Sequence, residues 1–253
     1  MSTPSVLVTG GAKRLGAAIV RRFAEAGWHV VIHCNRSRDA AEALAAELPG
    51  AEVVQCDLTD LGAAKAMIRE WAERLEDWRC LINCASIFET DNVTALDPAT
   101  NARSMTINAA APALMAQTYL AEARSTAGRR VVLVTDQKLG NLNPDFFSYT
   151  MSKAAADIAA RMMAMATRGE DRIYTLAPGA ILPSHDQSDE EAQRSHLLNL
   201  LQRRTNANEV ADAALFLAEG PLASGESINV DSGQHLLNQS RDVIYLEREG
   251  SAA

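Results

Sequence analysis

Seven short apolar runs recur along the chain, separated by amphipathic stretches. They are "SVLVT" (5–9), "WHVVIH" (28–33), "AEVVQC" (51–56), "RCLIN" (79–83), "RRVVLVT" (129–135), "RIYTLA" (172–177) and "ESINVD" (226–231). A strand with one wet face alternates apolar and polar residues, whereas a strand covered on both faces does not. These near-continuous Val, Ile and Leu runs therefore predict a parallel sheet with helices on both sides. The stretches between them supply the helices. "LGAAIVRRFAEAG" (15–27) carries apolar residues at helical spacing and ends on Gly27, which suits a C-cap. Similar patterns fill 39–50, 60–77, 97–123 and 149–166. Strand–helix alternation at this rate, with right-handed crossovers, specifies a doubly wound α/β sheet.

No repeat or linker divides the chain, and its 253 residues, 47% hydrophobic, suffice for one buried core, so residues 1–253 are expected to form a single domain. The net charge of −8 and the lack of a dense Lys/Arg run argue against nucleic acid or anionic membrane as partner. No apolar run approaches the roughly 18 residues of a membrane span. "MSTPSVLVTGG" enters a strand pattern at once, so no signal peptide is expected. Cys34, Cys56, Cys80 and Cys84 lack C-x-x-C spacing, which predicts reduced structural thiols in a cytoplasmic protein and no metal site.

The first strand-to-helix turn, "TGGAKRLG", has the small residues that let a backbone turn tightly and approach a pyrophosphate at a helix N-terminus. Gly10, Lys13, Arg14, Leu15 and Gly16 are its candidate cofactor residues. At the end of the second strand an NAD site carries an acid for the ribose hydroxyls. Here stand Asn35, Arg36 and Ser37, and Arg14 could converge on them. Two guanidiniums, an amide and a hydroxyl suit a 2′-phosphate, so NADP(H) is the expected cofactor; two solvated surface arginines are the bland alternative. Asp57 and Leu58 end the third strand, where the carboxylate either accepts from the adenine amino group or serves a turn. Asn83, Ala85 and Ser86 end the fourth with small residues suited to the floor beneath a nicotinamide ribose.

Tyr149 and Lys153 are one helical turn apart and can face one cleft. Asp136, thirteen residues before the tyrosine, closes the fifth strand. A hydroxyl there could polarise a carbonyl oxygen; a carboxylate would repel one. A substrate presenting ring N–H and amino groups suits the acid better, and a carboxyl of raised pKa could hold a proton for a ring nitrogen. A strand-end aspartate capping a loop is the alternative. Asn108, a poor helix former mid-helix, marks a local kink, a water site or a merely polar face.

"TGGAKRLG", "NCAS", "TIN", "YTMSK" and "LAPG" stand in the order and spacing of the short-chain dehydrogenase/reductase family, which the chain resembles over nearly its whole length. The resemblance implies a Rossmann-type sheet of seven strands in the order 3-2-1-4-5-6-7, a homotetramer, and an Asn–Ser–Tyr–Lys catalytic set. Asn108, Tyr149 and Lys153 match that set, while Asp136 replaces its serine and Arg14 a glycine of the first turn. It also places Pro178, Gly179 and Ile181 against the cofactor. Arg14, "HCNRS", Phe88 and Asp136 are similar to pteridine reductases and bacterial dihydromonapterin/dihydrofolate reductases. That subgroup implies a pterin sandwiched between nicotinamide and Phe88, with Arg14, Ser86, Asp136 and Tyr149 around it. Phe88 as an ordinary buried aromatic is the plain alternative. The ending "SGESINVDSGQHL" is similar to the subgroup's, with Ser232 in place of a glycine. A substrate loop is expected near 183–205 and a tail from about 239. The expected activity is NADPH-dependent pterin reduction by hydride transfer to a C=N carbon, with Tyr149 and Asp136 protonating nitrogen. NADPH-dependent carbonyl or alcohol chemistry is the alternative, and a non-catalytic nucleotide sensor a third.

Overall fold

The computed structural model describes residues 2–184 and 187–250. Its strands are β1 (Ser5–Thr9), β2 (His29–Cys34), β3 (Glu52–Gln55), β4 (Trp78–Asn83), β5 (Arg130–Val134), β6 (Arg172–Pro178) and β7 (Ser227–Val230). They form one parallel sheet in the order β3-β2-β1-β4-β5-β6-β7, the order the family resemblance implies. Each predicted apolar run forms a strand within about two residues of its expected ends.

The helices are α1 (Arg14–Glu25), α2 (Arg38–Glu47), α3 (Leu61–Arg74), α4 (Pro98–Met105), α5 (Ala111–Glu122), α6 (Phe147–Ala166), α7 (Asp189–Ser195), α8 (Ala207–Glu219) and α9 (Val243–Gly250). Because side chains alternate across a strand, one strand feeds two cores. Val6 and Val8 of β1 pack with α1, α2 and α8, while Leu7 packs with α3, α5 and α6 on the other face. The C-cap of α1 is Ala26, and Gly27 follows it at φ +81°, the left-handed position its sequence predicted. Asp60 and Asp97 cap α3 and α4 by accepting from Ala63 N and from Ala99 and Thr100 N.

Residues 97–123 read as one helix, but a π-helical turn at Thr106–Ala110 separates α4 from α5, and Asn108 sits inside it. The chain leaves β1 for α1 on one face and β4 for α4 on the other. That divergence at the carboxyl ends of adjacent strands opens a crevice, the place where such sheets bind ligands. Among the described residues, no helix is long and apolar enough to cross a membrane.

Candidate active site

The crevice holds a cavity of about 520 Å³, within the range that small-molecule sites occupy. Its floor is the first turn. Gly10 lies at φ +66°, and a Cβ there would come within 2.9 Å of Ala85 Cα. A Cβ on Gly16 would meet Gly10 O at 2.1 Å, so only glycine lets the helix start this close to the turn. Thr9 Oγ1 accepts from both Cys84 N and Ala85 N at 3.0 Å, tying the end of β1 to the loop after β4. His33 braces the turn from β2: its Nδ1 accepts from Gly10 N at 3.1 Å, and its Nε2 donates to Cys56 O at 3.1 Å. Burial pushes the imidazole down to about 4, so it stays neutral and keeps an acceptor on Gly10.

Gly10, Lys13, Arg14, Leu15, Gly16, Asn35, Asp57 and Leu58 line this end of the cavity, as expected. Arg36 and Ser37 do not line it but stand beside Asn35 at the start of α2, where Ser37 makes no capping bond. Arg38 is committed to Glu42 at 2.7 Å, whereas the Arg36 guanidinium has no hydrogen bond or ion pair among the described residues. An uncommitted guanidinium beside an uncapped serine at a helix N-terminus fits a phosphate. Asp57 accepts from Thr59 N at 2.9 Å, and that bond holds its carboxyl below the usual range. The cradle therefore fits a dinucleotide carrying a further phosphate.

Ala85, Ser86, Phe88, Asp136, Tyr149, Lys153, Pro178, Gly179 and Ile181 line the rest of the wall, joined by Lys138. Tyr149 OH donates to Asp136 Oδ2 at 2.6 Å, and Asp136 Oδ1 accepts from Lys138 N at 2.8 Å. Burial raises the Asp136 carboxyl, while the bonds from Tyr149 and Lys138 pull it back part of the way. Burial and the neighbouring carboxylate hold the Tyr149 phenol well above 10. The Lys153 ammonium, lowered by burial, donates to Val134 O at 2.7 Å and lies 5.6 Å from the Tyr149 ring centre. Phe88 meets Tyr149 edge-on at 4.7 Å and is backed by Phe146, stacked at 4.1 Å.

Two further predicted residues, Asn108 and Asn83, do not reach the cavity wall. Asn108 Oδ1 accepts from Ile87 N at 2.9 Å, and its Nδ2 donates to Ile87 O and Ser152 Oγ, both at 3.0 Å. Its side chain is spent on holding the 86–88 loop to α6. Asn83 is buried, with neither side-chain polar atom hydrogen-bonded among the described residues. His185 and Asp186 of the expected substrate loop, and Ser251–Ala253 of the tail, lie outside the described residues.

Sequence reasoning missed His33, Lys138 and Asp242 in the wall, and placed Gln187 and His196 only as part of the expected substrate loop. His33 read as one more strand residue, although a histidine inside an aliphatic run was the available signal. Lys138 and Asp242 are 104 residues apart and meet only through the fold, at 2.9 Å.

A glycine-cradled phosphate turn at a switch point, with Tyr and Lys one helical turn apart, defines a nicotinamide-dependent oxidoreductase. The family model described as enoyl-(acyl carrier protein) reductase matches residues 10–235. The chain belongs to the short-chain dehydrogenase/reductase family. It is similar to a solved alternative dihydrofolate reductase (FolM) from Brucella canis, complexed with NADP, with 37% identity over 95% of this chain and 97% of that one, at a TM-score of 0.88. Among curated relatives, the dihydromonapterin reductase of Shigella boydii is 24% identical over 91% of this chain and 96% of its own length. An NADPH-dependent aldehyde reductase of Arabidopsis thaliana is 26% identical over 90% and 92%.

Proposed function

We propose that the protein reduces a dihydropterin, of the dihydropteridine, dihydromonapterin or dihydrofolate type, by adding hydride to a C=N carbon and a proton to the nitrogen. The cofactor is NADP(H). Gly10, Lys13, Arg14 and Gly16 would hold its phosphates, Arg36 and Ser37 its 2′-phosphate, Asp57 its adenine, and Lys153 its nicotinamide ribose. When bound, the reduced nicotinamide supplies the hydride.

The observation that carries the substrate assignment is the 2.6 Å pair between Tyr149 OH and Asp136 Oδ2. Tyr149, held above 10, keeps its proton until a substrate nitrogen gains negative charge, then donates it from Oη. Asp136, whose carboxyl is raised by burial, then relays a proton taken up from water to that oxygen. Its oxygens also accept from amino and ring N–H groups, which a ketone does not offer. Phe88, backed by Phe146, orients a flat ring by stacking, contributing about 1 kcal/mol beyond area burial. Arg14 and Ser86 would complete the ring's surroundings, and Asn108 positions the loop that carries Ser86 and Phe88.

Carbonyl or alcohol chemistry has its own support in the intact Tyr149–Lys153 arrangement and in the aldehyde reductase relative. NADPH oxidation measured on dihydrobiopterin, dihydromonapterin and dihydrofolate, against small ketones and diketones, separates the two. Turnover of ketones alone would remove the pterin assignment.

The whole chain is proposed to work as one NADP-binding unit in a cytoplasmic homotetramer. Four unpaired cysteines support a reducing compartment, and an exposed apolar stripe along α6 supports assembly.

A further inference from the structure

Part of the cavity wall has no role in the chemistry above: Gln187, His196, Asp242, Val243 and Ile244. These residues come from the α7 region and from the start of the tail. The two helices pack on each other and are clasped by two ion pairs, Arg194 Nε on Glu247 Oε1 at 2.6 Å and Arg248 Nε on Glu191 Oε1 at 3.1 Å. The tail is anchored at its root as well. Arg241 meets the buried Asp145 carboxylate at 2.9 Å, and Asp242 receives the Lys138 ammonium at 2.9 Å. Tyr245 stacks on Phe146, which in turn stacks on Phe88, so a ladder of rings joins the tail to the aromatic beside Tyr149.

His196 follows α7 directly and is fixed by this clasp. It is 3% exposed and lines the cavity; neither ring nitrogen has a hydrogen-bond partner among the described residues, and with Nδ1 sealed from solvent it is Nε2 that a ligand can reach. A buried polar nitrogen without a partner is costly, and in a cavity wall a ligand can supply one. Burial and the Arg204 charge push the imidazole down to about 4, so it presents one N–H and one lone pair rather than a cation. The nearby Lys138 ammonium is already spent on Asp242 and on Asn143 Oδ1. A neutral imidazole nitrogen, whether it offers its N–H or its lone pair, matches a hydroxyl, which both donates and accepts.

Resting on the pterin assignment, we infer that His196 is a specificity-determining residue that hydrogen-bonds a hydroxyl on the substrate's side chain. The α7–α9 clasp is the device that holds it in the cavity wall. The tail is thereby part of the active site of its own protomer.

The test is steady-state kinetics of His196→Leu at saturating NADPH on two substrates. One is dihydromonapterin, with its hydroxylated chain; the other is a methyl-substituted dihydropterin without hydroxyls. The KM for dihydromonapterin should rise roughly ten-fold, the scale of one lost hydrogen bond, with kcat and the NADPH KM little changed. The constants for the methyl substrate should hold. His196→Asn, which keeps a donor and an acceptor, should recover part of the loss, and it carries the same comparison if the leucine variant fails to fold. Arg194→Glu should raise the dihydromonapterin KM selectively, and adding Glu247→Arg should restore it. Equal losses on both substrates would overturn the assignment, since a merely structural histidine would not distinguish them. If the unmutated protein turns over only carbonyl compounds, the pterin assignment falls by itself. The same comparison then uses a hydroxylated ketone and its deoxy counterpart, and an unchanged preference in His196→Leu overturns the subsite too.

Discussion

Arg14 and Ser232 stand at φ +54°, in the left-handed region, at the two positions where the family resemblance expects glycine. A side chain there costs roughly 1–2 kcal/mol, so Arg14 must return that cost in function or in contacts. Its one bond among the described residues, to Pro183 O at 2.7 Å, is exposed and offsets little. Arg14→Gly should therefore hold or raise stability, by up to about 1 kcal/mol, while NADPH and substrate bind more weakly. Thermal unfolding measured beside KM checks the two signs, and unchanged kinetics would leave the strained arginine without a role. Arg36→Ala should remove roughly 1.5–3 kcal/mol of the preference for NADPH over NADH, the scale of a hydrogen bond to a charged group. Equal Michaelis constants for the two cofactors in the unmutated protein would exclude a 2′-phosphate site. Tyr149→Phe should cut turnover by about 10²–10⁴ with NADPH binding little changed. Asp136→Ser should lower pterin turnover by about 10² while ketone turnover holds or rises; the reverse pattern would replace pterin with carbonyl. The pH dependence follows from the raised Asp136 carboxyl. A folded pKa above the ordinary 3.8 means the native state binds this proton more tightly than the unfolded chain does. Its stabilising contribution is full below the unfolded value and is lost as pH rises through the folded one. Pterin turnover should fall over the same rise, and Asp136→Asn should flatten the stability dependence.

At the scale of elements, the site depends on how closely α1 and β1 approach. Gly16→Ala would set a Cβ 2.1 Å from Gly10 O, which no side-chain rotation relieves. We expect it to cost about 2–3 kcal/mol and to weaken NADPH binding, checked by denaturant unfolding and cofactor titration. Such turns were legible in the sequence because their requirements are local: small residues after an apolar run, then a helical pattern. The same holds for the strands, whose unbroken aliphatic character reports burial on both faces. The family resemblance sets Asp136 in the catalytic serine's place beside Tyr149, and the structure brings the two to 2.6 Å. What was not legible depends on packing between distant elements. The π-turn at Thr106–Ala110 left only Asn108 as a hint. The helices α7, α8 and α9 did not stand out against the longer patterns; His196 falls within the expected substrate loop, but its packing against the tail, and the place of Asp242 in the cavity wall, depend on how the chain folds back. His33 is the intermediate case: the residue was visible, but its bond to Gly10 N was not.

For the whole molecule, α6 poses the open question. Its inner face carries Ser148, Tyr149, Ser152, Lys153 and Ala156, all buried. Its outer face exposes Met151, Ile158, Met162 and Met165, the last two at 66% and 81%. Their spacing of seven, four and three residues keeps them on one stripe, the pattern of a helix that packs against another helix. An isolated exposed methionine is ordinary, but a stripe of four on the helix that bears the catalytic pair is an interface pattern. A second copy related by two-fold symmetry would cover stripe with stripe, since such an interface must be self-complementary. Met162→Glu would then bring two carboxylates together in an apolar seam, where their desolvation and repulsion outweigh the lost methionine packing. We expect the unmutated protein to run as an oligomer by light scattering at micromolar concentration and Met162→Glu to shift it toward smaller species. Turnover should fall with dissociation, because α6 loses its outer support while still holding Tyr149 and Lys153 on its inner side. A monomeric unmutated protein with full activity would show that the stripe serves no assembly, and that α6 needs none to hold its catalytic face in place.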